Sequence, residues 1–425
     1  MSTLTDPPRR SFRLSQLIYD TRYRSITIQL IALLVMVFGI GWLVNNTVQN
    51  LAALGKDFNF GFLTSSAGYD INQMLIEYDS QDTHGRAAVV GILNTLLVAF
   101  MGCVTATLIG VIAGVLRLSK NWVVSRLMAV YVEGFRNVPL LLWIILIFSI
   151  MSESMPRPND FRGDEPVASM IFSDHVAVTN RGIWIPRLGF TNSLSDNEAI
   201  ASVEGVPAVA TGWEDWAVIG LVLLISIIVI GSIRARSSRI QEVTGIRPTT
   251  WYLQLSILFI PFAIIGLFLG MTVVTPFLKG FNFTEGTHLR NSLIALWLAL
   301  SLYTGSFIAE IVRAGILAVS KGQSEAAFAL GMRPNRTMSL VILPQAMRVI
   351  IPPLISQFLN LTKNSSLAIA VGYMDVRATL GGITINQTGR ELEGMLLLGA
   401  FYLLLSLIIS SVMNYFNNRT QLRER

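Results

Sequence analysis

The apolar residues of this chain fall in long blocks separated by polar segments. A bilayer core about 30 Å thick takes roughly 20 apolar residues as a helix. Eight blocks reach or approach that length, near 26–45, 88–116, 122–151, 216–233, 251–275, 290–317, 346–370 and 391–415. The third is composite, because Glu133 and Arg136 interrupt it. The pattern predicts an all-α integral membrane protein with about eight spanning helices. The first block follows an arginine-rich tail (Arg9, Arg10, Arg13, Arg22, Arg24) and shows no convincing small-residue cleavage site. It reads as a retained anchor rather than a signal peptide.

Charge placed around the blocks gives an orientation, since cytoplasmic loops of membrane proteins concentrate lysine and arginine. With the N-terminus inside, the inner segments hold the tail arginines; Arg117, Lys120 and Arg126; Arg234, Arg236, Arg239 and Arg247; Lys321, Arg333 and Arg336; and Arg419, Arg423 and Arg425. Segment 152–213 falls outside. It carries eight acids (Glu153, Asp160, Asp164, Glu165, Asp174, Asp196, Glu198, Glu204) against four arginines. Every loop agrees with both termini being cytoplasmic. The outer segment 46–87 has Phe58, Phe60 and Phe62 at alternate positions, to lie on the membrane or pack against it. It and 152–213 read either as connecting loops or as small external elaborations.

Composition agrees. The 425 residues are 52% hydrophobic and 14% charged, against about 25% charged in soluble domains. The net charge of +6 follows from the inner loops and implies no nucleic-acid partner. A single cysteine, Cys103, excludes a disulfide framework, and His84, His175 and His288 are too scattered for a zinc site. No GxxxxGK[ST], HExxH or GxSxG pattern occurs, so neither ATP hydrolysis nor another catalytic activity is expected on this chain. Catalytic residues and metal ligands are expected to be absent.

One inner segment, 318–345, is unlike its surroundings: SEAAFALGM (324–332) is alanine-rich and helix-forming. Ser320 and Gln323 have capping-box spacing, Glu325 suits the positive end of a helix, and Gly331 suits the left-handed residue that ends one. Pro334 bars immediate continuation. The product is a short helix with a smooth surface, either an amphipathic connector or a docking element for another protein.

That segment resembles the EAA loop of ABC importer permeases: Glu325-Ala326-Ala327, three residues, Gly331, then Val341-Ile342-Leu343-Pro344, with Val341 where isoleucine is usual. Other pieces resemble the polar amino-acid, histidine/glutamate-type permeases. They are Asn94-Thr95-Leu96, Glu133-Gly134-Phe135-Arg136-Asn137-Val138-Pro139-Leu140, Tyr303 with Ala309-Glu310-Ile311-Val312-Arg313-Ala314-Gly315, Lys321-Gly322-Gln323, and Asn360-Leu361-Thr362-Lys363-Asn364-Ser365-Ser366-Leu367. Together they cover roughly half the chain. Trp143 stands where that family has glutamine, and three extra spans enlarge its usual five. The size and GFLTSSAGYDINQMLIEY (61–78) resemble the general L-amino-acid or glutamate/glutamine/aspartate/asparagine permease subunits of Gram-negative bacteria.

The resemblance implies a type I ABC importer transmembrane domain in the bacterial inner membrane, importing polar L-amino acids. Glu325, Ala326, Ala327 and Gly331 would couple it to a cytoplasmic ATPase dimer, which would hold ATP and Mg; this chain would carry no cofactor. A second homologous permease, making a heterodimer, and a periplasmic amino-acid-binding protein would complete the complex. The expected divisions are 1–87 (tail, extra span, external segment), 88–151 (first core part), 152–213 (external insertion), 214–289 (two inserted spans) and 290–425 (second core part).

Charges within spans are costly and face a cavity or partner. Glu133/Arg136 and Glu310/Arg313 are each spaced to pair along a helix, for packing or gating. Thr362, Lys363, Asn364, Ser365 and Ser366 form a polar cluster near mid-span, with Pro352 and Pro353 upstream to kink the helix. The cluster either lines the path and meets a substrate carboxylate or binds a partner helix. Gly110 and Gly114 permit close helix packing. A permease for another small polar solute and an ion-coupled secondary transporter are the alternative functions.

Overall fold

The computed structural model describes residues 21–55, 58–163, 165–195 and 209–420. Tail residues Arg9, Arg10, Arg13, Arg423 and Arg425, and the acids Asp164, Asp196, Glu198 and Glu204, lie outside these. The chain is mainly helical: α1 (Thr21–Ala53), α2 (His84–Leu116), α3 (Trp122–Asn137), α4 (Leu140–Ser154), α5 (Trp213–Thr244), α6 (Trp251–Phe268), α7 (Asn291–Leu317), α8 (Lys321–Ala329), α9 (Leu343–Asn364) and α10 (Glu391–Thr420). Pro334–Thr337 and a wider turn at Met338–Ile342 lead straight into α9, and a tighter turn, Ser365–Val371, follows it. Among the described residues, seven helices are long and apolar enough to cross a membrane, or eight if α3 and α4 count as one broken span.

The 122–151 block is therefore not a straight helix. It bends by 107° between α3 and α4. Val138 is extended, as the residue before a proline prefers, and Pro139 starts the next helix. The 251–275 block also divides: α6 ends at Phe268, and Met271–Val274 is a β-strand. Conversely, α9 runs through Pro352 and Pro353 as one helix.

The core forms around α7, which is buried along most of its length. Leu296, Leu300 and Ile308 of α7 pack with Val98 and Ala106 of α2, Ile144 of α4, and Ile350 and Leu361 of α9. Close approach of α2 to α7 depends on glycine. A Cβ on Gly110 would lie 2.5 Å from the Ile308 Cβ, and one on Gly114 2.6 Å from the Ala309 carbonyl. The Gly110/Gly114 pair thus has the packing role its spacing permits.

Strands from two separate stretches join outside this helix core. β1 (Ala177–Thr179) pairs antiparallel with β2 (Gly182–Ile185), and β2 with β7 (Thr287–Arg290). β3 (Arg187–Phe190) pairs with β4 (Met271–Val274), and β5 (Phe277–Lys279) with β6 (Asn282–Thr284). Residues 165–190 and 271–290 therefore form one β-rich unit, with the α5–α6 hairpin between them in sequence. The segment 58–83 packs on the same end of the core. Phe62 is buried against Ala88, Val376, Leu380 and Leu398, while Phe58 and Phe60 are exposed and meet edge to face at 5.3 Å.

Candidate functional site

The short helix α8 leaves α7 at the end of the core away from the β-rich unit. It starts at Lys321, with Ser320 as a cap whose side chain makes no bond to the helix. The capping-box expectation fails because the Gln323 side chain instead accepts from Gln345 of α9 at 3.2 Å. Glu325 lies in the second turn, past the free amide groups of the helix start. The C-terminal expectation holds in detail. Gly331 is left-handed (φ 74°), its amide donates to the Phe328 carbonyl at 2.9 Å, and the Met332 amide donates to the Ala327 carbonyl at 3.1 Å. Ala327 is buried, whereas Glu325, Ala326, Phe328, Ala329, Leu330 and Gly331 are exposed. The helix is thus pinned on one side and open on the other, with a face made of small and apolar residues.

Two turns before α7 ends, Glu310 joins helices. Arg313 donates to it through Nη2 at 2.6 Å and Nε at 3.2 Å, and Arg117, at the end of α2, bonds its other carboxylate oxygen. The Glu310–Arg313 pair is as its spacing predicts. The Glu133–Arg136 pair is absent. Glu133 is exposed and accepts from Asn137 at 3.4 Å. Arg136 turns toward α7, with its guanidinium 5.2 Å from the Phe307 ring centre and its charge acting on Glu310. An aromatic face on the neighbouring helix and a carboxylate there outweigh an exposed i,i+3 partner. Arg117 was readable in sequence only as an orienting charge; its distance along the chain hides its partner.

The 362–366 cluster divides. Thr362 and Ser365 are buried and donate to their own helix, at the Phe358 and Thr362 carbonyls. Asn364 and Ser366 are half-buried. Lys363 is exposed, in the last turn of α9 rather than mid-helix, and forms no ion pair among the described residues.

The segment after α9 supplies a further polar feature. Tyr373 donates to the Asn94 carbonyl at 3.0 Å, Asn94 donates to the Met374 carbonyl at 2.9 Å, and Thr95 accepts the Val376 amide at 3.1 Å. Asn94 and Thr95 therefore clamp this segment to α2. Asp375 within it is fully buried. One oxygen accepts the Ala378 amide at 2.9 Å, and the other has no partner among the described residues. Burial pushes its carboxyl up to about 7. Neither Asp375 nor its burial was apparent from sequence.

A bundle of membrane-length helices around a buried α7, with a small exposed helix at one end and a β-rich outer unit at the other, defines a multi-pass membrane protein. Residues 248–422 match the family of binding-protein-dependent transport system inner membrane components. The chain is 55% identical, over the whole of both proteins, to the glutamate/glutamine/aspartate/asparagine transport system permease protein BztB of Rhodobacter capsulatus. It is 42% identical to the general L-amino acid transport system permease protein AapQ of Rhizobium johnstonii, over 96% of this chain and 94% of that one. A crystal structure of an amino acid ABC transporter with histidines matches 79% of this chain and 95% of its own at 17% identity, with a TM-score of 0.42. The chain belongs to this family of ABC importer permeases. It is a multi-pass component of the inner membrane and is not itself the ATPase of such a system.

Proposed function

We propose that this chain imports polar L-amino acids, glutamate, glutamine, aspartate and asparagine among them, as one permease of an ATP-driven complex. The observation that carries this reading is the end-to-end match to a permease named for those four amino acids. Both termini face the cytoplasm, an orientation supported by the arginines of the inner loops. Residues 88–151 and 290–425 form the transport core, and 318–345 its coupling loop.

Helix α8 docks on a cytoplasmic ATPase dimer, which binds ATP and Mg. Its exposed Ala326 and Ala329 support this role, since small side chains let a partner's backbone come close, and the exposed Phe328 and Leu330 beside them offer apolar contact. Closure of the ATPase dimer pushes α8. The α7 helix carries that motion past the Arg117–Glu310–Arg313 cluster into the span core, exchanging access between the two sides. A second, homologous permease completes a heterodimer, and a periplasmic binding protein delivers the amino acid.

Purification of the tagged chain in mild detergent tests the assembly. A P-loop ATPase and a second permease are expected to co-purify, and Gly331→Arg is expected to lose the ATPase while keeping the permease. Purification without either protein, with uptake driven by an ion gradient and not by ATP, contradicts the proposal.

A further inference from the structure

A cavity of about 610 Å³ lies where the β-rich unit meets the N-terminus of α7, at the end of the core away from α8. Two guanidiniums line it, Arg181 and Arg290. Neither forms an ion pair among the described residues. Among the described residues their side chains donate to backbone carbonyls, Arg290 to Asn72 at 2.9 Å and Arg181 to Phe281 at 3.4 Å. His288 lines the same wall. Its Nε2–H donates to the Arg181 carbonyl at 3.1 Å, its ring stacks on Trp184 at 4.0 Å, and burial, helped by Arg290, holds its pKa below the usual value. The positive end of α7 adds to the potential, with Asn291 and Ser292 as its first residues. The cavity therefore favours an anion.

It also has capacity of the opposite kind. Three of its residues hold a buried acceptor with no partner among the described residues, the Oδ1 atoms of Asn180, Asn282 and Asn291, while the Nε1–H of Trp184 is an unpartnered donor on the same wall. Asn291 is only 5% exposed and Trp184 9%. The Asn291 amide is oriented by its Nδ2, which donates to the Asn180 carbonyl at 2.5 Å, so the orphan oxygen is its acceptor. Orphaned buried polar groups in a native fold call for a ligand or water to complete them. Three acceptors beside two unpaired guanidiniums suit a small molecule carrying an ammonium and a carboxylate together.

We propose that this cavity is a receiving site for the free amino acid between the binding protein and the membrane path. Arg181 and Arg290 take the α-carboxylate, and the asparagine oxygens take the ammonium. The proposal rests on the amino-acid reading above. It also gives the inserted segments a purpose: Asn180, Arg181 and Trp184 come from one and Asn282 and His288 from the other, joined by the β2–β7 pairing, with Arg290 at the start of the second core part.

The test uses the assembled complex of both permeases and ATPase in nanodiscs, with tritiated L-glutamate and L-glutamine as probes and no binding protein. Arg181→Gln and Asn282→Leu are the variants; Arg181 is exposed, so its replacement leaves folding intact. Each is expected to weaken retention of both labels about tenfold, the weight of one lost charge-assisted contact. The binding-protein concentration that half-saturates ATPase stimulation is expected to stay unchanged. Equal retention by wild type and both variants, or no retention by a wild type that imports both amino acids, overturns the site alone. A shift in half-saturation with retention intact makes the surface a protein-docking face and likewise overturns it. A wild-type complex that imports no polar amino acid overturns the underlying reading as well.

Discussion

Asp375 is a fully buried carboxyl with one satisfied oxygen. Its ordinary pKa is 3.8, and burial raises it to about 7 in the folded chain. Between those values the folded state holds a proton that the unfolded state has lost, so stability falls as pH rises through that window. The contribution is complete below about 4, where both states are protonated, and gone above about 7. Thermal unfolding of the purified protein in detergent, followed across that range, is expected to show a midpoint that declines with pH. Asp375→Asn keeps the oxygen that accepts the Ala378 amide and removes the titration, so its midpoint should decline less. An identical pH slope in the variant would show that the Asp375 carboxyl does not titrate as its burial requires.

At the scale of elements, the contact of α2 with α7 leaves no room for a Cβ at Gly110. A Cβ on Gly110 meets Ile308 at 2.5 Å and the Gly305 carbonyl at 2.9 Å. Backbone cannot rotate away as a side-chain tip can, so Gly110→Ala must separate the helices. The expected loss is about 1–3 kcal/mol, the usual range for overpacking, read as a lower unfolding temperature in detergent. Gly134→Ala is the control, because nothing lies within 4 Å of a Cβ there. Equal stability of the two variants would rule out the close contact.

Gly110 also shows what was legible. Membrane-length helices were readable because an unpaired backbone group in lipid is so costly that each apolar block must be a helix. That logic stops at the membrane surface. Met271–Val274 continues the apolar run of α6, and hydropathy alone does not separate an apolar strand from the last turn of a helix. Pairing across the α5–α6 hairpin, and the joining of Arg117 to Glu310, are long-range facts that no local pattern encodes. Gly331 was legible because a left-handed helix end is a local, single-residue requirement. The orphaned asparagine oxygens of the outer cavity follow from three segments meeting, and no motif announces them.

The whole molecule leaves much apolar surface uncovered, including the central part of α1, and lipid accounts for that without a partner. Lys363 is another matter. It is exposed on α9, between buried Thr362 and half-buried Asn364, with no carboxylate paired to it among the described residues. A lysine facing lipid in such a position is costly, so the intact complex must give it water or an acceptor. If the proposed second permease packs here, it would supply one or the other, either as a polar path between the subunits or as a direct contact. Lys363→Met separates these. If Lys363 lines the path, both permeases and the ATPase still co-purify, and uptake of glutamate falls about tenfold, the loss of one charge-assisted contact to a carboxylate. Failure of the two permeases to co-purify would make Lys363 a contact between subunits. Unchanged uptake and selectivity in an intact complex would remove it from the path, leaving the proposed receiving cavity as this chain's candidate contact with its substrate.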